Sequence, residues 1–179
     1  MELFVDRMTS PIGPILLVWQ SEALRALNFG DDEQRLHLLL RLARGTYRLA
    51  PERAPAQIRS PIEKYFHGEL TAIDSVTVQT SGTLFQQQVW KALRQIPAGS
   101  TTTYGELATR IGRPGASRAV GLANGSNPVA IVVPCHRVIG ADGTLTGYGG
   151  GLDRKRWLLA HERAVLRPAH RHHNQGQLY

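Results

Sequence analysis

The spacing of the apolar residues changes once along this chain, near Ser81-Gly82, and the two sides ask for different architectures. On the N-terminal side, residues 2–8, 14–20 and 23–29 read as short strands. Thr9-Ser10-Pro11-Ile12-Gly13-Pro14 is rich enough in turn residues to reverse the chain between the first two. Residues 32–43 repeat their apolar positions at helical spacing, 46–57 read as irregular around Pro51 and Pro55, and 72–79 alternate like a strand. Ser60-Pro61-Ile62-Glu63 combines an N-cap Ser, a Pro at the first helical position and a capping-box Glu. That predicts a helix starting there, running to about His67 and stopped by Gly68. The expectation is a small α/β domain over residues 1–80.

On the C-terminal side, two more capping boxes, Thr83-Leu84-Phe85-Gln86 and Thr103-Tyr104-Gly105-Glu106, predict helices to about Ile96 and to Ile111. Gly112-Arg113-Pro114-Gly115 is a tight turn, and 116–124 returns to helical spacing. Two short helices around a glycine-bearing turn make a helix-turn-helix candidate. The apolar run 129–133 reads as a buried, strand-like support, and Asp153 as the cap of a last helix through about Arg163. This mainly α domain spans 83–165, and the polar, aperiodic stretch 166–179 reads as a disordered tail.

Charge follows the same division. Residues 1–82 carry nine Lys+Arg against ten Asp+Glu, whereas residues 83–179 carry twelve against four, a balance of +8. The second half has the electrostatic footprint of a polyanion binder. No apolar run approaches the ~20 residues of a membrane span. The N-terminus lacks the basic and apolar regions of a signal peptide, so a soluble, cytoplasmic protein without a membrane partner is expected. With one cysteine, Cys135, an internal disulfide and a Cys-rich zinc site are excluded.

That cysteine sits in Val132-Val133-Pro134-Cys135-His136-Arg137-Val138-Ile139-Gly140. A thiol nucleophile needs a base or cation, a rigid seat and access to its electrophile. The apolar run supplies support, Pro134 fixes the backbone, and His136 is a neighbouring base, although adjacency in sequence does not require it to face the thiol. Thr146-Gly147-Tyr148-Gly149-Gly150-Gly151 would let backbone approach a flat ligand closely. The residues also allow a hydrolase built on Cys135, His136 and a carboxylate, and a transcriptional regulator, although 116–123 offers few base-reading side chains.

The Pro134-Cys135-His136-Arg137-Val138 block resembles the active-site motif of the O6-alkylguanine-DNA alkyltransferases. Phe85-Gln86 with Val89-Trp90, Thr103 to Ala108, Ser117-Arg118-Ala119-Val120-Gly121 and Asn127-Pro128 match the same family in order and spacing, as do Gly147-Tyr148, Lys155 and His161-Glu162. The match is dense over 83–163 and thinner before it, at Ser10 to Pro14 and Tyr65-Phe66-His67-Gly68. The resemblance implies a ribonuclease H-like N-terminal domain and a winged-helix-like C-terminal one. It also implies irreversible, one-time transfer of an alkyl group from O6-alkylguanine, with O4-alkylthymine as a further candidate, after the base is flipped from the minor groove.

Roles follow from the resemblance. Cys135 is the acceptor. His136 acts on it through a water, Glu162 orients and charges that histidine, Asn127 holds the network, and Tyr104 bonds the guanine. Arg118, with Ser117, Ala119 and Arg137, contacts DNA, and Arg118 fills the vacated stack. Tyr148, Gly149, Val138 and Lys155 form the substrate pocket, with Gly149, a serine in some relatives, widening it. Blander roles stay open at this stage: a core ring for Tyr104, a phosphate contact for Arg118, a surface carboxylate for Glu162. His161 reads as structural. No cofactor and no metal are expected, and the partner is double-stranded DNA bound by a monomer, with cooperativity along the duplex left open.

Overall fold

The computed structural model describes residues 1–44 and 46–163. The first three strands form where the sequence places them: β1 (Glu2–Met8), β2 (Ile15–Gln20) and β3 (Ala23–Phe29). They pair antiparallel in succession, and a short β4 (Arg48–Pro51) adds parallel to β1, so the sheet order is β3-β2-β1-β4. Between β3 and β4 runs α1 (Glu33–Arg44). The strand at 48–51 replaces the irregular segment expected there. Its register against β1 survives Pro51 because proline is tolerated at the end of an edge strand.

The next helix, α2, is Ala56–Phe66, with Pro55 as its N-cap and Pro61 inside it. The expected start at Ser60 is therefore wrong. Starting earlier puts Ile58, Ile62 and Tyr65 on one fully buried face. That burial outweighs the backbone bond lost at Pro61. Residues 72–79 are likewise not a regular strand: Ala72–Ser75 is a 3-10 turn, followed by a short parallel bridge to the edge of β3 through Leu24 N–Thr77 O (2.9 Å) and Gln79 N–Leu24 O (3.0 Å).

After residue 82 the chain is mainly helical. α3 (Leu84–Leu93) and α4 (Tyr104–Arg110) both open on complete capping boxes, at Thr83/Gln86 and Thr103/Glu106. α5 (Ser117–Gly125) follows a turn whose Gly112 and Gly115 both have positive φ. α6 (Leu152–His161) is capped by Gly151; Asp153 lies in its first turn and is not the cap. Thr102–Thr103 (β5) and Val138–Ile139 (β6) form a two-stranded parallel ladder.

One hydrophobic cluster runs through both parts, from Leu17, Leu27 and Ile62 to Val89, Val120 and Leu158. β3 is the hinge of the design. Its Leu27 bonds Pro128 O and Ala130 N at 2.9 and 3.0 Å, so the sheet edge anchors the loop that leads to Cys135. No helix among the described residues is long and apolar enough to cross a membrane. The expected tail, 166–179, lies outside the described residues.

Candidate active site

Residues 129–133 are buried, as their composition demands, but they coil and form no strand. Ile131 has φ of 71°, a left-handed conformation that costs a β-branched residue on the order of 1–3 kcal/mol. Asn127 braces the coil from inside: its Nδ2 donates to Val133 O (2.8 Å) and its Oδ1 accepts from Val129 N (2.9 Å). Pro134 then turns the chain into a single 3-10 turn, Cys135–Arg137, whose three side chains are all buried.

Cys135 lines a cavity of about 260 Å³ together with Tyr104, Gly121, Asn124, Tyr148 and Arg35. Burial pushes its thiol above the ordinary range, against the pull of Asn127, Lys155 and Arg35. The resting group is therefore a neutral thiol, and a base must take its proton during reaction.

His136 is fully buried, and its Nε2 meets Glu162 Oε1 at 2.9 Å. Burial lowers its pKa, and the Glu162 hydrogen bond does not restore it. A neutral ring that donates Nε2–H to a carboxylate carries its lone pair on Nδ1. Nδ1 is buried and has no protein partner among the described residues. The Glu162 bond thus fixes the ring's orientation, and the ring it holds is neutral.

The charge that balances Glu162 belongs to Arg137. Its Nε and Nη2 grip Glu162 at 2.9 and 2.8 Å, and its Nη1 donates to Ile96 O. Burial raises the Glu162 carboxyl, but the hydrogen bond from His136 and the bonds and charge of Arg137 outweigh it and hold the group ionised well below the carboxylate range. Arg137, 2% exposed, cannot reach a phosphate, which corrects its expected place at the DNA. The acid response follows. The folded pKa values of His136 and Glu162 both lie below their unfolded values, 6.5 and 4.5. The unfolded chain therefore binds more protons at these two groups, and their contribution to stability is full above pH 6.5 and is lost as pH drops below it. Urea unfolding midpoints at a series of pH values check this, and a midpoint flat from pH 7.5 down to 4 contradicts it.

Two expected pocket residues stand behind its wall. Val138 is fully buried, and its carbonyl accepts from Lys155 Nζ (2.7 Å), which also bonds Thr146 O (2.7 Å). Lys155 ties the strand after Cys135 to the glycine loop, and burial lowers its ammonium to about 8. Tyr148 lines the cavity with its ring edge-on to Phe29. Gly149 lines the cavity, and a Cβ there would meet the Arg35 guanidinium, which bonds Gly125 O at the end of α5 (2.6 Å). At Gly150 a Cβ would sit 2.2 Å from the Phe29 ring. Gly150→Ala is expected to destabilise by about 1–3 kcal/mol through overpacking, seen as a lowered Tm; an unchanged Tm contradicts that packing.

Tyr104 opens α4 half-buried, packs near Gly121 and accepts from Thr146 Oγ1 (3.1 Å). Ser117, Arg118 and Ala119 are exposed on the first turn of α5, the helix that follows α4 and the Gly112–Gly115 turn. His161 stacks on Trp157 and meets Tyr65 O. Arg35 has no local signal in the sequence, and Tyr65, whose hydroxyl donates to Glu162 Oε1 (2.7 Å), is marked there only by the Tyr65-Phe66-His67-Gly68 block; their partners Gly125 and Glu162 lie 90 and 97 residues away. Among the described residues no group of His, Cys, Asp and Glu is arranged to hold a metal.

Residues 84–164 match the family model described as 6-O-methylguanine DNA methyltransferase, DNA binding domain. A methylated-DNA–protein-cysteine methyltransferase of Shigella flexneri is 44% identical over 169 residues, covering 93% of this chain and 99% of its own. The Mycobacterium tuberculosis OGT, crystallised in complex with DNA, superposes with a TM-score of 0.77 at 46% identity, covering 91% of this chain and 93% of that one. The O6-methylguanine-DNA methyltransferase of Pyrococcus kodakaraensis superposes with a TM-score of 0.69 at 26% identity, covering 89% and 98%.

Proposed function

The chain belongs to the O6-methylguanine DNA methyltransferase family, and from that we propose how its own residues carry the reaction. The activity is repair of methylated DNA by transfer of the methyl group to a protein cysteine. Cys135 is the acceptor. The observation that carries this is the placement of Cys135 in one cavity with Tyr104, next to a neutral His136 that is fixed by Glu162.

His136 Nδ1 takes the thiol proton, directly or through a water, as the alkyl carbon is attacked. The S–C bond forms as the C–O6 bond breaks, and the electron pair leaves on guanine, whose charge the Tyr104 hydroxyl offsets before a proton neutralises it. Glu162 stays ionised and stabilises the imidazolium that forms. The product is a thioether that no side chain here can cleave, so each molecule acts once.

A stacked guanine cannot present its O6 substituent to a thiol at the bottom of a cavity, so the base must be flipped, at a few kcal/mol of unstacking. Arg118 on α5, in the minor groove, fills the gap, while Ser117 and Ala119 allow close approach and the +8 half holds the phosphates. The same reading takes in a ribonuclease H-like N-terminal domain (1–80), a winged-helix-like C-terminal domain (83–165) and a monomer on double-stranded DNA. O4-alkylthymine is the further substrate to try.

Affinity for undamaged duplex should fall steeply with salt and nearly match that for lesion duplex; a salt-independent affinity contradicts the phosphate contacts. With lesion duplex in excess, repair should stop at one alkyl group per chain. Continued turnover would favour a cysteine hydrolase.

A further inference from the structure

Glu162 Oε1 carries three donors: the Tyr65 hydroxyl at 2.7 Å, Arg137 Nη2 at 2.8 Å and His136 Nε2 at 2.9 Å. The fourth bond of the carboxylate, from Arg137 Nε, goes to Oε2. Two of the donor residues lie beside Cys135. Tyr65 comes from α2, across the molecule. It is fully buried, and its ring meets Phe66 and His161 edge-on at 5.3 and 5.2 Å. Its hydroxyl therefore has a set position against the carboxylate.

We propose that Tyr65 is a positioning residue of the Cys135–His136–Glu162 relay, its hydroxyl competing with His136 for Glu162 Oε1 and so keeping the imidazole neutral and able to take a proton. The inference rests on the role given to His136 above. A carboxylate oxygen offers about two lone-pair sites, and three donors must share them. Each bond is then weaker than it would be alone. Removing the Tyr65 hydroxyl leaves more of the oxygen to His136 and favours the imidazolium.

Other groups facing His136 set the background. Glu162, just past the end of α6, favours protonation, whereas Arg137 in the same 3-10 turn and Lys155 on α6 oppose it. Cys135 is adjacent and uncharged at rest. Tyr65 acts on His136 through Glu162, and a protonated His136 cannot accept the thiol proton. By this device the N-terminal sheet-and-helix part of the chain sets the lowest pH at which the acceptor works.

The test uses the full chain with free O6-benzylguanine, which needs no base flipping, and follows the transfer rate against pH. Two variants press in opposite directions. Tyr65→Phe keeps the ring and drops the donor; its acid limb should move up by roughly half a pH unit. Placing 3-fluorotyrosine at position 65 alone supplies a more acidic phenol and a stronger donor; its acid limb should move down. Binding to undamaged duplex should not change in either. Acid limbs that stay at the wild-type position in both variants would leave Tyr65 as packing only. If the Phe variant does not fold, the fluorotyrosine limb decides by itself, because that residue keeps the hydroxyl. Failure of the wild type to alkylate Cys135 would instead sink the functional reading beneath the proposal.

Discussion

Glu162→Gln is expected to slow transfer to Cys135 by on the order of a hundredfold or more and to lower stability by about 3–5 kcal/mol. Both effects come from one carboxylate. It fixes the His136 ring through Nε2 at 2.9 Å, and it is the counter-charge of the Arg137 guanidinium, buried beside it. An amide retains one acceptor oxygen but turns a donor toward His136 or Arg137 and leaves the guanidinium without a neutralising charge. Because the two consequences travel together, the rate must be read well below the melting temperature. DNA affinity should hardly change, since neither Glu162 nor Arg137 reaches the surface. A variant that loses DNA binding while keeping the transfer rate of the bound fraction would make Glu162 structural alone.

The second large effect belongs to Arg118. If its side chain fills the stack vacated by the flipped base, Arg118→Ala should hit whichever substrate is costliest to flip. Transfer from a fully paired duplex should slow by roughly ten- to a hundredfold, the rate equivalent of a few kcal/mol of lost compensation for unstacking. The loss should be smaller in a single strand or opposite a poor pairing partner, and nearly absent for free O6-benzylguanine. The residue is exposed on the first turn of α5, with small or apolar Ala119, Val120 and Gly121 after it, so nothing on that turn blocks approach to the groove. A phosphate contact behaves differently: its loss weakens all DNA binding alike and reduces the salt slope by about one. Single-turnover rates on the three substrates separate the two. An equal fractional loss on all three rules out the gap-filling role.

How much of this was legible beforehand depends on the distance over which each residue acts. The capping boxes at Thr83 and Thr103 are local hydrogen-bond patterns, and both form as read. The box at Ser60 is equally well formed as a pattern but does not start the helix, because burial of Ile58, Ile62 and Tyr65 extends α2 back to Ala56. Cys135, His136, Asn127 and Tyr104 were legible because the motif blocks between 83 and 163 keep their order and spacing, and they do come together. Arg137 was misread because a cation in a basic half looks like a DNA contact until its carboxylate partner, 25 residues on, is known. The coil at 129–133 was misread because burial alone does not separate a strand from a braced loop. Arg35 was not legible at all, and Tyr65 was legible only as part of the Tyr65-Phe66-His67-Gly68 block, with no role attached: each reaches the site from the N-terminal part of the chain, and no local pattern encodes such a contact.

The central claim is that Cys135, served by a neutral His136, accepts the alkyl group. The most direct measurement is peptide mapping by mass spectrometry after reaction with a duplex bearing one O6-methylguanine. One added methyl group should appear on the peptide containing Cys135, and none in Cys135→Ser under the same conditions. A methyl group on any other residue, or repair by the serine variant, would contradict the account.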